Sequence, residues 1–401
     1  MDPGLEEVRT FIVNTIIEFL EKYDVEAIHF DDYFYCNMGA RGRTSGNNSI
    51  LIEPDQNTYI DYIDNHPECK FKKDNATDKA DWRRLQVDLL IKLIKEKISE
   101  FNLKNNKHVQ FGISPTGIYK NGDGVVTYDE KGNAITTGSD TIGQEHYADY
   151  LFCDSLNWCN NGWIDYLLPQ SYWARTHPTA AYEKVMDWWD KVLRYKNVNL
   201  YSGIGLYMAD ETNNKYSWQT DFTELYKDLK DVSNSNRTEG ASIYNFHTLR
   251  NLRDGKNTNS SKQIKNGIKA WTKRVPLSEI KSFEKIIVDA PKNAKFQGSN
   301  LSFDKVEGAK FYIIYRNIEE IKFIEDEIVD IIGNPSNSAR IEWKENNLGN
   351  FTYGIRAISY SNTLGKPTAD VDFNPDDDKK NFSKTSIVSL FALVCLVLLL
   401  F

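Results

Sequence analysis

Asp31 and Asp32 stand at the end of an apolar run, residues 25–30, and Tyr33, Phe34 and Tyr35 follow at once. Two acids at the tip of a short buried strand, beside aromatic rings, suit chemistry on a sugar. In glycoside hydrolysis one carboxyl protonates the leaving oxygen, while another attacks the anomeric carbon or activates water. Side chains alternate in direction along a strand, so His29 and Asp31 share one face and Phe30 and Asp32 the other. Only one of the acids can readily enter a given pocket. Asp31 is therefore the expected nucleophile or base, with His29 beneath it and Asp32 orienting it or binding a hydroxyl. The plainer alternative is a helix N-cap or a loop salt bridge, since Asp favours both.

Other residues fit the same chemistry. Gln170, Tyr172 and Trp173 close the apolar run at 164–168; an amide hydrogen-bonds sugar hydroxyls and an indole offers a ring for stacking. Packing at the sheet rim is the alternative for these three. Arg83 and Arg84 open a helix after a long loop, and one is expected to clamp Asp31 or Asp32 in a bidentate pair. Ser114, His29, Tyr33 and Tyr35 are further expected substrate contacts. Trp188 and Trp189 are expected in a helix core.

The elements that must position these groups alternate. Pro3 after Asp2 suggests a capped helix start, and residues 8–20 carry one apolar face at helical spacing. The strand ending at Asp31 follows. A polar stretch from 37 to 79 precedes a second helix with Trp82, Leu85, Leu89, Leu93, Ile94 and Ile98 on its buried side. Four more apolar runs, at 109–113, 164–168, 200–204 and 241–246, are separated by helix-like segments such as 181–195 and 221–232. Strand and helix in alternation predict an α/β fold with a parallel sheet, and continuous apolar strands fit that sheet best. Residues 125–136 read as a β-hairpin turning near Gly132 and Asn133. The Asn-, Ser- and Lys-rich stretch 251–265 reads as a boundary. From 276 to 370 short alternating runs predict an all-β sandwich. An acidic, polar linker over 371–386 and an apolar segment at 387–401 complete the chain.

Composition excludes several classes. A net charge of −8 and no clustered basic surface argue against nucleic acid. The five cysteines and six histidines show no zinc-type spacing, so neither a metal nor an organic cofactor is expected. The N-terminus lacks the basic and apolar regions of a signal peptide. The apolar C-terminal segment approaches the roughly 17–25 residues that span a bilayer; a membrane-inserted tail and an extracytoplasmic, cell-surface location are expected.

Five motifs, in order, resemble the glycosyl hydrolase-like family 10 proteins of bacterial envelopes: Asp2-Pro3-Gly4 with Val8-Arg9; the segment from Tyr23 to Tyr35; Asp81-Trp82-Arg83-Arg84; Phe111-Gly112-Ile113-Ser114-Pro115-Thr116-Gly117; and Gly162-Trp163-Ile164-Asp165-Tyr166 through Pro169-Gln170-Ser171-Tyr172-Trp173. The resemblance implies a (β/α)8-type barrel of which residues 1–270 carry about five strands, the fourth to the eighth, and a polysaccharide substrate such as bacterial wall glycan. In such barrels the active site lies at the C-terminal ends of the strands. That places Asp31 well and makes Asp81, Asp140 and Glu145 candidates for the second carboxylate, whereas Asp165 begins its strand and is expected at the structural end. Residues 310–316 and 353–357 resemble a fibronectin type III domain. A non-catalytic glycan-binding surface protein, or an inactive fragment, is the alternative to an enzyme.

Overall fold

Five of the apolar runs form one parallel sheet in the computed structural model, which describes residues 2–35, 55–148, 151–212, 216–335, 338–347 and 349–373. The chain divides into two units, the second beginning at Trp271. In the first, helix α1 (Glu6–Lys22) leads to β1 (Ala27–Phe30), then α2 (Gln56–Asn65), α3 (Ala76–Asn105) and β2 (Gln110–Ile113). The hairpin of β3 (Val126–Tyr128) and β4 (Ala134–Thr136) precedes α4 (Ser155–Asn161), β5 (Tyr166–Leu167), α5 (Tyr182–Val192) and β6 (Asn199–Gly205). Helix α6 (Glu224–Asn234), β7 (Thr238–Tyr244), α7 (Phe246–Arg253) and α8 (Asn259–Gly267) complete the unit. The sheet order is β1-β2-β5-β6-β7, so each strand lies beside the next in the chain, and every pair is parallel.

One face of the sheet carries the core. Phe111, Ile113, Leu167, Leu200 and Ile204 are buried with Val87, Ile91 and Ile94 of α3 and Val185 and Trp189 of α5. The other face is shaped by a missing side chain. Gly112 pairs with His29 on one side and Tyr166 on the other, and a Cβ there would fall 2.1 Å from the Tyr166 ring. Tyr166 therefore reaches across β2, and its hydroxyl lies 2.9 Å from His29 Nδ1.

The structure corrects several details. Asp2 does not cap α1: it accepts from Gly4 N and Thr58 Oγ1, while Leu5 precedes the helix without a side-chain cap. Gly4 instead admits the Trp82 ring, 2.8 Å from where its Cβ would stand. The polar stretch contains α2, whose Tyr59 is buried against Trp82. Helix α3 begins at Ala76, capped by Asn75, and its buried face is rotated from the predicted stripe. Trp82, Ile94 and Ile98 are buried as expected, but Leu89 is exposed while Val87, Leu90 and Ile91 are buried, with Arg83 and Gln86 held inward by Asp55 and Arg9. The expected boundary at 251–265 holds parts of α7 and α8. Thr258 caps α8, and Gln263 donates to the carbonyls of Trp218 and Asp221. A polar helix is buried there because its side chains are hydrogen-bonded.

The second unit is all-β: β8 (Lys295–Gln297), β9 (Asn300–Asp304), β10 (Ala309–Asn317), β11 (Ile328–Gly333), β12 (Arg340–Lys344), β13 (Phe351–Ser359), β14 (Leu364–Pro367) and β15 (Val371–Phe373). One sheet has the order β11-β10-β13-β14 with β15 also on β13; another has the order β12-β9-β8. Leu301, Phe303, Tyr312, Ile314, Tyr353 and Ile355 form its core. Residues 371–373, expected in the linker, pair with β13 because Phe373 is buried in that core. The rest of the linker and the apolar tail lie outside the described residues. No helix among the described residues is long and apolar enough to cross a membrane.

Candidate functional site

In a parallel sheet all C-terminal strand ends lie along one edge, where loops gather functional groups. Asp31 follows β1, Ser114 follows β2, Gln170 and Tyr172 follow β5, Tyr207 follows β6, and Tyr244 ends β7. Gln170 joins three of these elements. Its backbone bridges Thr116 on one side and Gly203 on the other, so its amide projects at a fixed height. From there Nε2 donates to Asp31 Oδ1 at 2.8 Å and to the Ser114 carbonyl at 2.8 Å. Asp31 Oδ1 also accepts from Asp32 N at 2.9 Å. The same carboxylate is exposed, so it remains open to a ligand.

The surroundings are unevenly charged. Burial, reinforced by the charge of Asp31, pushes the Asp32 carboxyl above its usual range. Burial lowers His29 to about 4 against the opposing pull of Asp31, so its imidazole is neutral at ordinary pH. Burial, followed by Asp31, raises the Tyr172 phenol. Tyr33 is 85% exposed and its phenol is raised mainly by Asp32 and then Asp31. Asp31, Asp32, His29, Tyr33, Ser114, Gln170 and Tyr172 thus share one electrostatic neighbourhood.

Four expected site residues stand elsewhere. Tyr35 is buried and donates to Asp55 Oδ2 at 2.6 Å. Arg83 clamps the same carboxylate through Nε at 2.6 Å and Nη2 at 2.8 Å, not Asp31 or Asp32. Desolvation pushes Asp55 up, but the Arg83 and Tyr35 hydrogen bonds prevail and hold it at about 2. Arg84 pairs with Asp81 and donates to the Tyr147 carbonyl. Trp173 is half-buried against the core, beside Gly117.

The proposed second carboxylates are also engaged: Asp81 with Arg84, Asp140 with Lys184, and Glu145 with Asn121. Asp165 is buried and paired with Lys95, at the start of its strand. Among the described residues no His, Cys, Asp and Glu cluster has the makings of a metal site.

Two tyrosines not singled out in the sequence, Tyr207 and Tyr244, stand at the same edge. Tyr244 stacks on Tyr172 with ring centres 5.8 Å apart and planes at 19°, and Tyr207 meets both rings edge-on. Tyr244 lies inside the apolar run 241–246, and only the observed end of β7 puts it at the strand tip.

A family model described as glycosyl hydrolase-like 10 matches residues 1–220. Glycosyl hydrolase YngK of Bacillus subtilis (strain 168) is 35% identical over 205 residues, 51% of this chain and 34% of that protein. Glycosyl hydrolase DigH of Escherichia coli (strain K12) is 31% identical over 211 residues, 53% of this chain and 40% of that protein. The match therefore spans between a third and two-fifths of the length of these relatives. Among solved structures, chitinase ChiA74 from Bacillus thuringiensis aligns over 93% of this chain and 62% of its own, with 10% identity and a TM-score of 0.36.

Proposed function

The chain belongs to the glycosyl hydrolase-like 10 family, and on that footing we propose that the edge around Asp31 hydrolyses a glycosidic bond of a polysaccharide, with bacterial wall glycan as the substrate. The observation that carries this reading is the 2.8 Å hydrogen bond from Gln170 Nε2 to Asp31 Oδ1. It fixes an exposed carboxylate at a strand tip while leaving its other oxygen for a reacting centre. Asp31 serves as nucleophile or base. Asp32, held up by burial and by its neighbour's charge, keeps its proton to higher pH and supports Asp31 or a substrate hydroxyl. Ser114, Gln170, Tyr33 and Tyr172 contact the sugar.

Three further features belong to the proposal. The sequential strand order supports five strands of a (β/α)8-type barrel. The paired antiparallel sheets of the second unit support a fibronectin type III-like sandwich. The apolar run at 387–401 approaches the length of a bilayer span; attachment to a membrane through it, at the cell surface, is part of the proposal.

Turnover of a soluble glycan by the chain and by its Asp31→Asn form tests the enzyme reading. A loss of about a hundredfold or more is expected for a residue acting on protons or the reacting carbon; equal turnover removes Asp31 from the mechanism. A second reading, a glycan-binding protein without turnover, draws on the engagement of Asp81, Asp140 and Glu145 by other side chains. Binding without turnover in either form selects it.

A further inference from the structure

We infer that Tyr244, braced by Tyr172 and Tyr207, is a stacking platform for one pyranose ring, favouring glycans whose units are joined through equatorial bonds. The inference rests on the glycan reading of this edge and adds a subsite to it. Tyr244 ends β7 directly opposite Gly205 of β6. A Cβ at Gly205 would lie 2.7 Å from the Tyr172 ring, so only glycine lets Tyr172 come across from the β5 side. The two rings then lie nearly parallel, with centres 5.8 Å apart. Tyr207 closes the arrangement edge-on, 5.7 Å from Tyr244 and 5.9 Å from Tyr172.

This bracing leaves Tyr244 50% exposed although three rings have converged. What sets Tyr244 apart from exposed rings elsewhere is its place, at the same C-terminal strand edge as Asp31 and Gln170. Here the inner ring, Tyr172, is largely covered and feels the charge of Asp31, while the outer ring faces solvent. Tyr33, itself 85% exposed, has Tyr244 among the groups that perturb its phenol. Tyr33 thus has both acids and the platform as neighbours.

The chemistry of the ligand follows from the ring. An aromatic face carries negative charge density and attracts the slightly positive C–H groups of an apolar surface. Pyranoses with equatorial substituents present such a surface on both sides, with axial C–H bonds pointing outward. A chain of them linked through equatorial bonds runs flat and keeps that surface available. Axially linked chains coil and turn it away.

Calorimetric binding of a β-linked N-acetylglucosamine hexamer and an α-linked glucose hexamer to the whole chain tests the inference, with turnover measured on the same samples. Tyr244→Ala is expected to weaken binding of the β-linked hexamer about three- to tenfold, and Tyr244→Leu to do the same, because bulk without a ring does not suffice. Tyr244→Phe is expected to stay within about twofold, since the face is retained. The α-linked hexamer is expected to bind weakly and indifferently to these changes. Equal binding of the β-linked hexamer by the chain and by folded Tyr244→Leu, or no binding by the chain at all, overturns the platform. Weakened binding with no turnover in any sample retires hydrolysis and leaves the platform standing. Turnover with unchanged binding does the reverse.

Discussion

Gln170 holds Asp31 from across the sheet: the amide follows β5, the acid follows β1, and β2 runs between them. Removing the amide leaves the carboxylate with the Asp32 backbone donor but lets it swing. Gln170→Ala is expected to lower kcat/KM about ten- to a hundredfold, as misplacement of a reacting group does, with little change in thermal unfolding. Gln170→Glu sets a second negative charge against Asp31. Like charges raise one another's carboxyl pKa, so the acid limb of its pH–rate profile is expected to move to higher pH. An unmoved limb separates Asp31 from the rate-determining ionisation.

Gly112 has no spare room. Gly112→Ala drives a methyl group to 2.1 Å from the Tyr166 ring and must break the contact to His29. Overpacking of this kind costs about 1–3 kcal/mol, and urea unfolding is expected to show at least that loss. Tyr166→Phe in the same background is expected not to restore stability, since the ring rather than its hydroxyl is struck.

Asp55 anchors Tyr35, Arg83 and Lys79 in a buried site. Arg83→Met strands that carboxylate with one cation and one phenol. Breaking a buried pair costs about 3–5 kcal/mol, and the remaining Lys79 is expected to keep the loss toward the lower end in chemical unfolding. Because its native carboxyl is depressed to about 2, the contribution of Asp55 is present above the unfolded value and lost as pH falls through about 2. Arg83→Met is expected to shrink that acid-side loss.

Asp88 has the opposite sign. Burial raises it from 3.8 to about 7, although Trp158 Nε1 and Asn157 Nδ2 donate to it. Native protein therefore holds the proton more tightly than unfolded chain. Its contribution is full below about 4 and is lost as pH rises through about 7, at roughly 1.4 kcal/mol per pH unit at most. His29, lowered to about 4, pulls the other way, since its contribution falls as pH drops below its unfolded value. The difference between the chain and Asp88→Asn isolates the term. Their thermal midpoints are expected to diverge between pH 4 and 7, with the variant gaining relative stability as pH rises; parallel curves refute the assignment.

The strand tips were legible because each apolar run stops at a residue that has no reason to be buried. Asp31, Ser114 and Gln170 announce themselves in that way. Arg83 and Tyr35 were misplaced because their partner, Asp55, follows a polar stretch with no periodic signal. A bidentate clamp is visible in the arginine, but not which acid fills it. Residues 251–265 hid two helices behind polar composition, since Gln263 and Ser260 are buried through hydrogen bonds to Trp218, Asp221 and Asp210 rather than through hydrophobicity. Tyr207 and Tyr244 depend on Gly205 standing between β5 and β7, and lateral neighbours across a sheet leave no mark at any fixed sequence spacing.

The bare α-carbon of Gly205 has an optical consequence. Two tyrosine rings coupled over a gap one strand wide give an exciton signal in the aromatic ultraviolet that depends on their separation and tilt. Other ring pairs, Trp188 and Trp189 among them, contribute to the same band, so the difference spectrum between the chain and Tyr244→Leu is what would report a ligand, variant or denaturant that spreads β5 from β7.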